Sequence, residues 1–179
     1  MTDNASALIV YESMFGNTER IARAIRDGLR QYVAAETVPV NRAPTVLPAD
    51  VRLLVVGGPT HAFSMSRLST RQEALKQGDV VTPIEVGIRE WLDVLHPPTG
   101  SGPRVATFDT RIAKVRRLPG SAARSAANVL RRMGFGRLTT SESFFVSETT
   151  GPIRDVELER AQNWGTKLGR LLTGSAKVA

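Results

Sequence analysis

The chain has 179 residues, 41% of them hydrophobic and 23% charged, which is room for one compact domain with a real core and little room for a second. It has no cysteine and only two histidines, which excludes disulfides, thiolate catalysis and cysteine-ligated metal, so any redox chemistry must rest on a bound organic group. A net charge of +7, from 24 basic and 17 acidic residues, excludes a strongly acidic surface.

"ALIVY" (7–11) is a continuous apolar run rich in β-branched residues, the pattern of a parallel strand buried on both faces. Ile21, Ile25, Leu29 and Tyr32 or Val33 then recur at three- and four-residue intervals, which predicts a helix over 18–33. "ETVPV" (36–40) is short and contains Pro39, which suits an edge strand. "VRLLVVGG" (51–58) reads as a second central strand. A long connection follows, 59–83, with a short helix expected after Ser69 or Thr70. Ile88, Trp91, Leu92 and Leu95 share one face of a helix that His96-Pro97-Pro98 stops.

"RVATFD" (104–109) is the fourth predicted strand. Ser121 can cap a helix reaching Met133, with Ala122, Ala126, Val129, Leu130 and Met133 buried and Gly134 ending it. "SFFVS" (143–147) is the fifth strand. A last helix, 157–172, is expected to bury Leu158, Ala161, Gly165, Leu168, Leu171 and Leu172. Strands alternating with helices predict a five-stranded parallel sheet covered on both faces, because each crossover must return over the sheet. We expect one domain over 1–179, with 1–6 and 174–179 as flexible tails. The N-terminus carries no export-signal pattern and no apolar run approaches ~20 residues, so a cytoplasmic protein without a transmembrane segment is expected.

In such sheets ligands bind beyond the carboxyl ends of the strands. The first loop, "ESMFGNTE" (12–19), precedes a helix whose unpaired N–H groups and positive dipole end favour an anion. Gly16 allows a tight turn, and Ser13, Asn17 and Thr18 add donors. With one glycine and no lysine it is neither a Walker loop nor a dinucleotide fingerprint, and it suits a phosphate monoester.

Ser13-Met14-Phe15-Gly16-Asn17-Thr18 resembles the phosphate loop of the flavodoxin family. One departure is Phe15, which stands where flavodoxins usually carry a hydroxyl and brings the loop closer to the flavodoxin domains of flavodiiron proteins. The resemblance implies a flavodoxin-like three-layer sandwich, strand order 2-1-3-4-5, and FMN as cofactor. It places Pro59, Thr60, His61, Ala62 and Phe63 against one face of the flavin, with Phe63 or His61 able to stack on it. His61 reads as a packing or hydrogen-bonding group, and no residue is expected to perform covalent chemistry. Asp109, Thr110 and Arg111 fall where the family's loop meets the other face, yet the aromatics usual there are missing. A guanidinium from Arg111 near N1 of the flavin would favour the anionic reduced form, which implies a less strongly reducing flavin than in an acidic flavodoxin.

The function implied is an FMN-binding redox protein passing electrons between protein partners or to a small acceptor. Because acidic flavodoxins dock on basic reductases, a +7 molecule needs a partner with an acidic docking face. One alternative is a small FMN-dependent oxidoreductase acting on a quinone-like or anionic substrate, with 64–83 as a lid and Arg67 and Arg71 clasping the substrate. Another is a non-redox module using the basic segment 111–137. That segment carries no nucleic-acid motif, so specific nucleic-acid binding is not expected.

Overall fold

The computed structural model describes residues 6–81, 83–100, 102–136 and 138–174, the side chains of Leu138 and Thr139 excepted. The described residues form six strands and five α-helices, in chain order β1 (Ser6–Tyr11), α1 (Asn17–Leu29), β2 (Ala34–Pro39), β3 (Val51–His61), β4 (Ser64–Met65), α2 (Leu68–Ala74), α3 (Ile88–Val94), β5 (Arg104–Ile112), α4 (Ala122–Arg132), β6 (Leu138–Val146) and α5 (Asp155–Thr173). The parallel order is β2-β1-β3-β5-β6, with the two-residue β4 paired antiparallel to β3. Leaving β4 out, this is the expected order 2-1-3-4-5.

Period-two alternation decides the two cores. Ala7, Ile9 and Tyr11 of β1 face α1 and α5, together with Leu53, Val55, Phe108 and Phe144. Leu8 and Val10 face the other way, with Leu54, Val56, Trp91, Leu92 and Leu130 under α3 and α4. Phe108, Phe144 and Trp164 meet edge to face at centroid distances of 6.1–6.4 Å, which anchors α5 to the middle of the sheet. The helices α1 and α5 approach backbone to backbone: a Cβ on Gly165 would stand 2.1 Å from the Ile25 carbonyl oxygen, and one on Gly28 2.1 Å from that of Gln162.

Several boundaries differ from the sequence reading. The first helix stops at Leu29, not Val33, because the N–H groups of Tyr32 and Val33 both turn back to the Leu29 carbonyl. β2 runs over Ala34–Pro39, and α2 begins at Leu68, where Thr70 closes the turn by bonding Arg67 through both its N–H and its carbonyl. β3, β5 and β6 outrun their apolar runs, since polar residues at their ends find partners across the sheet edge. Leu171, expected inside, is 53% exposed, and Trp164 takes the buried place. Of the expected tails, Ser6 lies in β1 and Gly174 closes α5, while 1–5 and 175–179 lie outside the described residues.

β3 and β4 are joined by a turn of only two residues, Ala62 and Phe63, with φ of 45° and 66°. Both therefore occupy the left-handed region that hairpins of this length demand and that side chains disfavour. No helix among the described residues is long and apolar enough to cross a membrane.

Candidate functional site

The carboxyl ends of β1, β3 and β5 are neighbours, and the segments leaving them build one site. After β1, Gly16 takes φ 83° directly before α1, and no side chain caps the helix from that position. Further back, Ser13 Oγ accepts the N–H of Glu19 at 3.2 Å. Asn17 points sideways, donating to the Thr150 carbonyl at 3.0 Å and accepting from the N–H of Ile153 at 3.1 Å. Thr18 is buried, its hydroxyl 2.7 Å from that of Thr110 on β5, which ties the first segment to the third. The side-chain donors of the loop are thus engaged within the protein, and the anion-binding capacity rests on backbone N–H groups at the helix start. An open groove of about 580 Å³ lies against them, lined by Phe15, Gly16, Asn17, Arg20, Arg23 and Gly151.

At the end of β3, Thr60 donates to Asp109 Oδ2 at 2.9 Å and accepts from the N–H of Ala122 at 2.9 Å. Asp109 Oδ2 also accepts from the N–H of Ala123 at 3.1 Å, and Ser121 Oγ from that of Arg124, so the start of α4 is capped. His61 Nδ1 meets the Thr70 hydroxyl at 3.1 Å. Burial, reinforced by the Arg71 charge, pushes the imidazole pKa down, so it is neutral near pH 7, in keeping with a packing role. The Ala62–Phe63 tip leans on Gly120, where a Cβ would stand 2.5 Å from the Phe63 carbonyl oxygen.

Asp109 lies in β5 as its apolar run predicts, and Thr110 and Arg111 belong to β5 as well and not to the loop after it, which corrects the sequence reading. Strand alternation sends Thr110 toward α1 and its neighbours toward α4. Arg111 is only 8% exposed. Its Nη2 donates to the carbonyls of Val115 and Leu118 at 3.2 and 3.1 Å, while Nε has no partner; nor has Asp109 Oδ1. Met14, Thr18, Thr60, His61, Thr110 and Arg111 surround a cavity of about 70 Å³, joined at its rim by Phe15, Asn17 and Pro59. Ser13 and Asp109 sit behind that lining, Gly16 opens on the groove, and Ala62 and Phe63 form the outer turn.

A second polar cluster, which no local motif signals, lies beside this one. Glu12 turns inward, accepting from the Ser66 hydroxyl and, at 2.8 Å, from the N–H of Ile88. Arg71, fully buried, donates to Ser66 Oγ at 2.7 Å and to the Ile84 carbonyl at 2.6 Å, and pairs with Glu90 at 3.0 Å. Arg71 is therefore not the substrate clasp expected of it: its donors are spent on Ser66, the Ile84 carbonyl and Glu90 of α3. Thr82 lies outside the described residues, as does Arg137 of the basic segment. Among the described residues no group of three or more His, Asp or Glu could hold a metal ion.

The architecture is that of the flavodoxin-like fold. The structure matches flavodoxin 1 from Bacillus cereus with a TM-score of 0.64 over 97% of this chain and 100% of that one, at 14% identity. It matches the Flv1 flavodiiron core from Synechocystis with a TM-score of 0.62 over 98% of this chain and 38% of that one, at 17% identity. In sequence, the chain is 34% identical over 97 residues to a Geobacter sulfurreducens protein named NAD(P)H dehydrogenase (quinone), a match covering 49% of this chain and 47% of that protein. The matched segments span less than half the length of the curated relatives. No protein-family model matches the chain.

Proposed function

We propose that the chain binds FMN and carries electrons through it, between protein partners or to a small acceptor. The observation that supports this best is the convergence of three strand ends on one cavity, with a helix start that Gly16 leaves open on one side and a buried cation on the other. Two features fit the cofactor. A Cβ on Gly16 would meet no atom within 4 Å, which leaves open space for phosphate oxygens against the start of α1. Arg111 Nε is a buried donor lacking an acceptor. When bound, the flavin supplies the electron-carrying centre that this cysteine-free chain lacks.

The chain's own part is binding and enclosure. N–H groups at the start of α1 hold the phosphate, with Arg20 adding positive charge along the groove while Arg23 is paired with Glu19. Pro59, Thr60, His61, Thr110 and Arg111 form the floor toward the ring. The cavity of about 70 Å³ holds one edge of a ligand, and the rest of a tricyclic ring extends beyond it. Ser13 and Asp109 support the loops from behind.

A second reading, an oxidoreductase reducing a quinone-type acceptor, is favoured by the name of the Geobacter sulfurreducens relative. For either reading, a protein partner presents an acidic face to this +7 chain. Titrating the purified chain with FMN while following flavin fluorescence tests the proposal. Saturable quenching is expected, weakened at least about tenfold by Gly16→Val, whose side chain is disfavoured at φ 83°. A wild-type chain that leaves FMN fluorescence unchanged overturns it. Oxidation of NAD(P)H that requires an added quinone separates the second reading from the first.

A further inference from the structure

A cation taken out of water normally brings its anion with it, because an uncompensated buried charge costs several kcal/mol. Arg111 does not. Its Nη2 is satisfied by two carbonyls of the turn that follows β5, both neutral, and its Nε is buried without a partner. The nearest acid in sequence, Asp109, lies on the same face of the strand, yet its Oδ2 is taken by Thr60 and Ala123 and its Oδ1 also stays unpartnered. The two leftover atoms do not satisfy each other. The guanidinium is held rigidly by the turn, it lines the cavity, and the cavity contains no protein anion to face it.

We infer that Arg111 is the counter-charge for negative charge on the ring end of bound FMN, so that the chain holds reduced FMN more tightly than oxidised FMN. The inference rests on the proposed function. The ring end is singled out by position: β3 lies between β1 and β5, which puts Arg111 about two strand spacings, roughly 10 Å, from the strand that leads into Gly16. Its Nη2 is fastened to the segment leading to Gly120, which touches Phe63, so it belongs with the second and third loops.

Uptake of two electrons and one proton leaves the flavin with one more negative charge than before, and that charge is what a fixed guanidinium favours. Relative affinity for the two oxidation states and the reduction potential are one quantity: tenfold in the affinity ratio is about 30 mV for a two-electron couple. Arg111 is a tuning residue in this scheme, and a merely structural arginine would leave that ratio alone.

The test uses the FMN-loaded wild type, Arg111→Met and Arg111→Lys, reduced anaerobically with dithionite against a reference dye, with dissociation constants for both oxidation states. Arg111→Met is expected to lose at least about tenfold more affinity for reduced FMN than for oxidised FMN, and so to fall about 30 mV or more. Arg111→Lys, which retains the charge, is expected to keep most of the wild-type potential. An unchanged potential in Arg111→Met overturns the inference, as does a fall in Arg111→Lys equal to that in Arg111→Met. If Arg111→Met does not fold, Arg111→Gln removes the charge while keeping a donor for the Val115 and Leu118 carbonyls, and the same outcomes apply. A wild type that takes up no FMN overturns the proposed function as well, whereas uptake with unaltered potentials across the variants overturns this inference alone.

Discussion

Two buried arginines stand at the same edge of the sheet, and their surroundings are opposite. Around Arg71 all the chemistry is closed: Glu90, Ser66 and the Ile84 carbonyl take its donors, and Glu12 completes the cluster through Ser66. Around Arg111 it is open, with two neutral carbonyls, an idle Nε and an idle Asp109 oxygen. A satisfied buried cation fastens segments together, here the 64–81 strap and α3, with Glu12 after β1 joined through Ser66. An unsatisfied one is a fixed source of positive potential for whatever enters. Burial alone therefore says little about an arginine's task; its counter-charge says more.

Replacement of each arginine by methionine tests the contrast most sharply. Arg71→Met leaves Glu12 and Glu90 without their cation and is expected to cost ~3–5 kcal/mol, or roughly 6–20 °C in Tm for a chain of this size. If it costs no more than Arg111→Met, the contrast is wrong. Next, the Thr18–Thr110 hydroxyl pair is closed like the Arg71 cluster although it borders the open cavity. Thr18→Ala strands the buried Thr110 hydroxyl and is expected to destabilise by ~1–3 kcal/mol in chemical denaturation, a loss that an unaffected midpoint would contradict.

A smaller effect lies in pH. Burial raises the pKa of Glu12 above its ordinary 4.5, against the opposing pull of Ser66, Ile88 and Arg71. A carboxyl with a raised folded-state pKa contributes stability below its unfolded pKa and loses it as pH rises through the folded one. Relative to the wild type, Glu12→Gln should thus gain in Tm as pH is raised from about 4.5 toward neutrality; a constant difference would mean that Glu12 titrates normally. The least change is expected for Arg111→Met without flavin. Exchanging an unpaired buried charge for an apolar side chain offsets the two lost hydrogen bonds, leaving Tm within about 2–4 °C, or ~1 kcal/mol.

Much of this molecule was legible in its sequence because its strands are apolar throughout and its helices keep a clean stripe. The parallel sheet, the capping by Ser121 and the helix start after Gly16 follow from such local signals, whereas the strand order is what the flavodoxin resemblance implies. What escaped was decided by long-range pairing. The ends of β3 and β5 carry Thr60, His61, Thr110 and Arg111, which look like loop residues until the neighbouring strands are in place. The β4 hairpin was invisible because Ala-Phe lacks the Asn-Gly or Gly-rich signature of a two-residue turn. Glu12 and Arg71 lie far apart in sequence, and neither residue reveals by itself that both are buried around Ser66. Leu171 fits the helical stripe of α5, yet it lies near the helix end and faces water, whereas Trp164 reaches the sheet.

The Ala62–Phe63 turn brings strain into this picture. Two residues held at positive φ and braced against Gly120 occupy a conformation that side chains disfavour. Glycine at position 62 adopts the same turn without that steric cost. The tip of this hairpin thus holds free energy that the packing around it must supply.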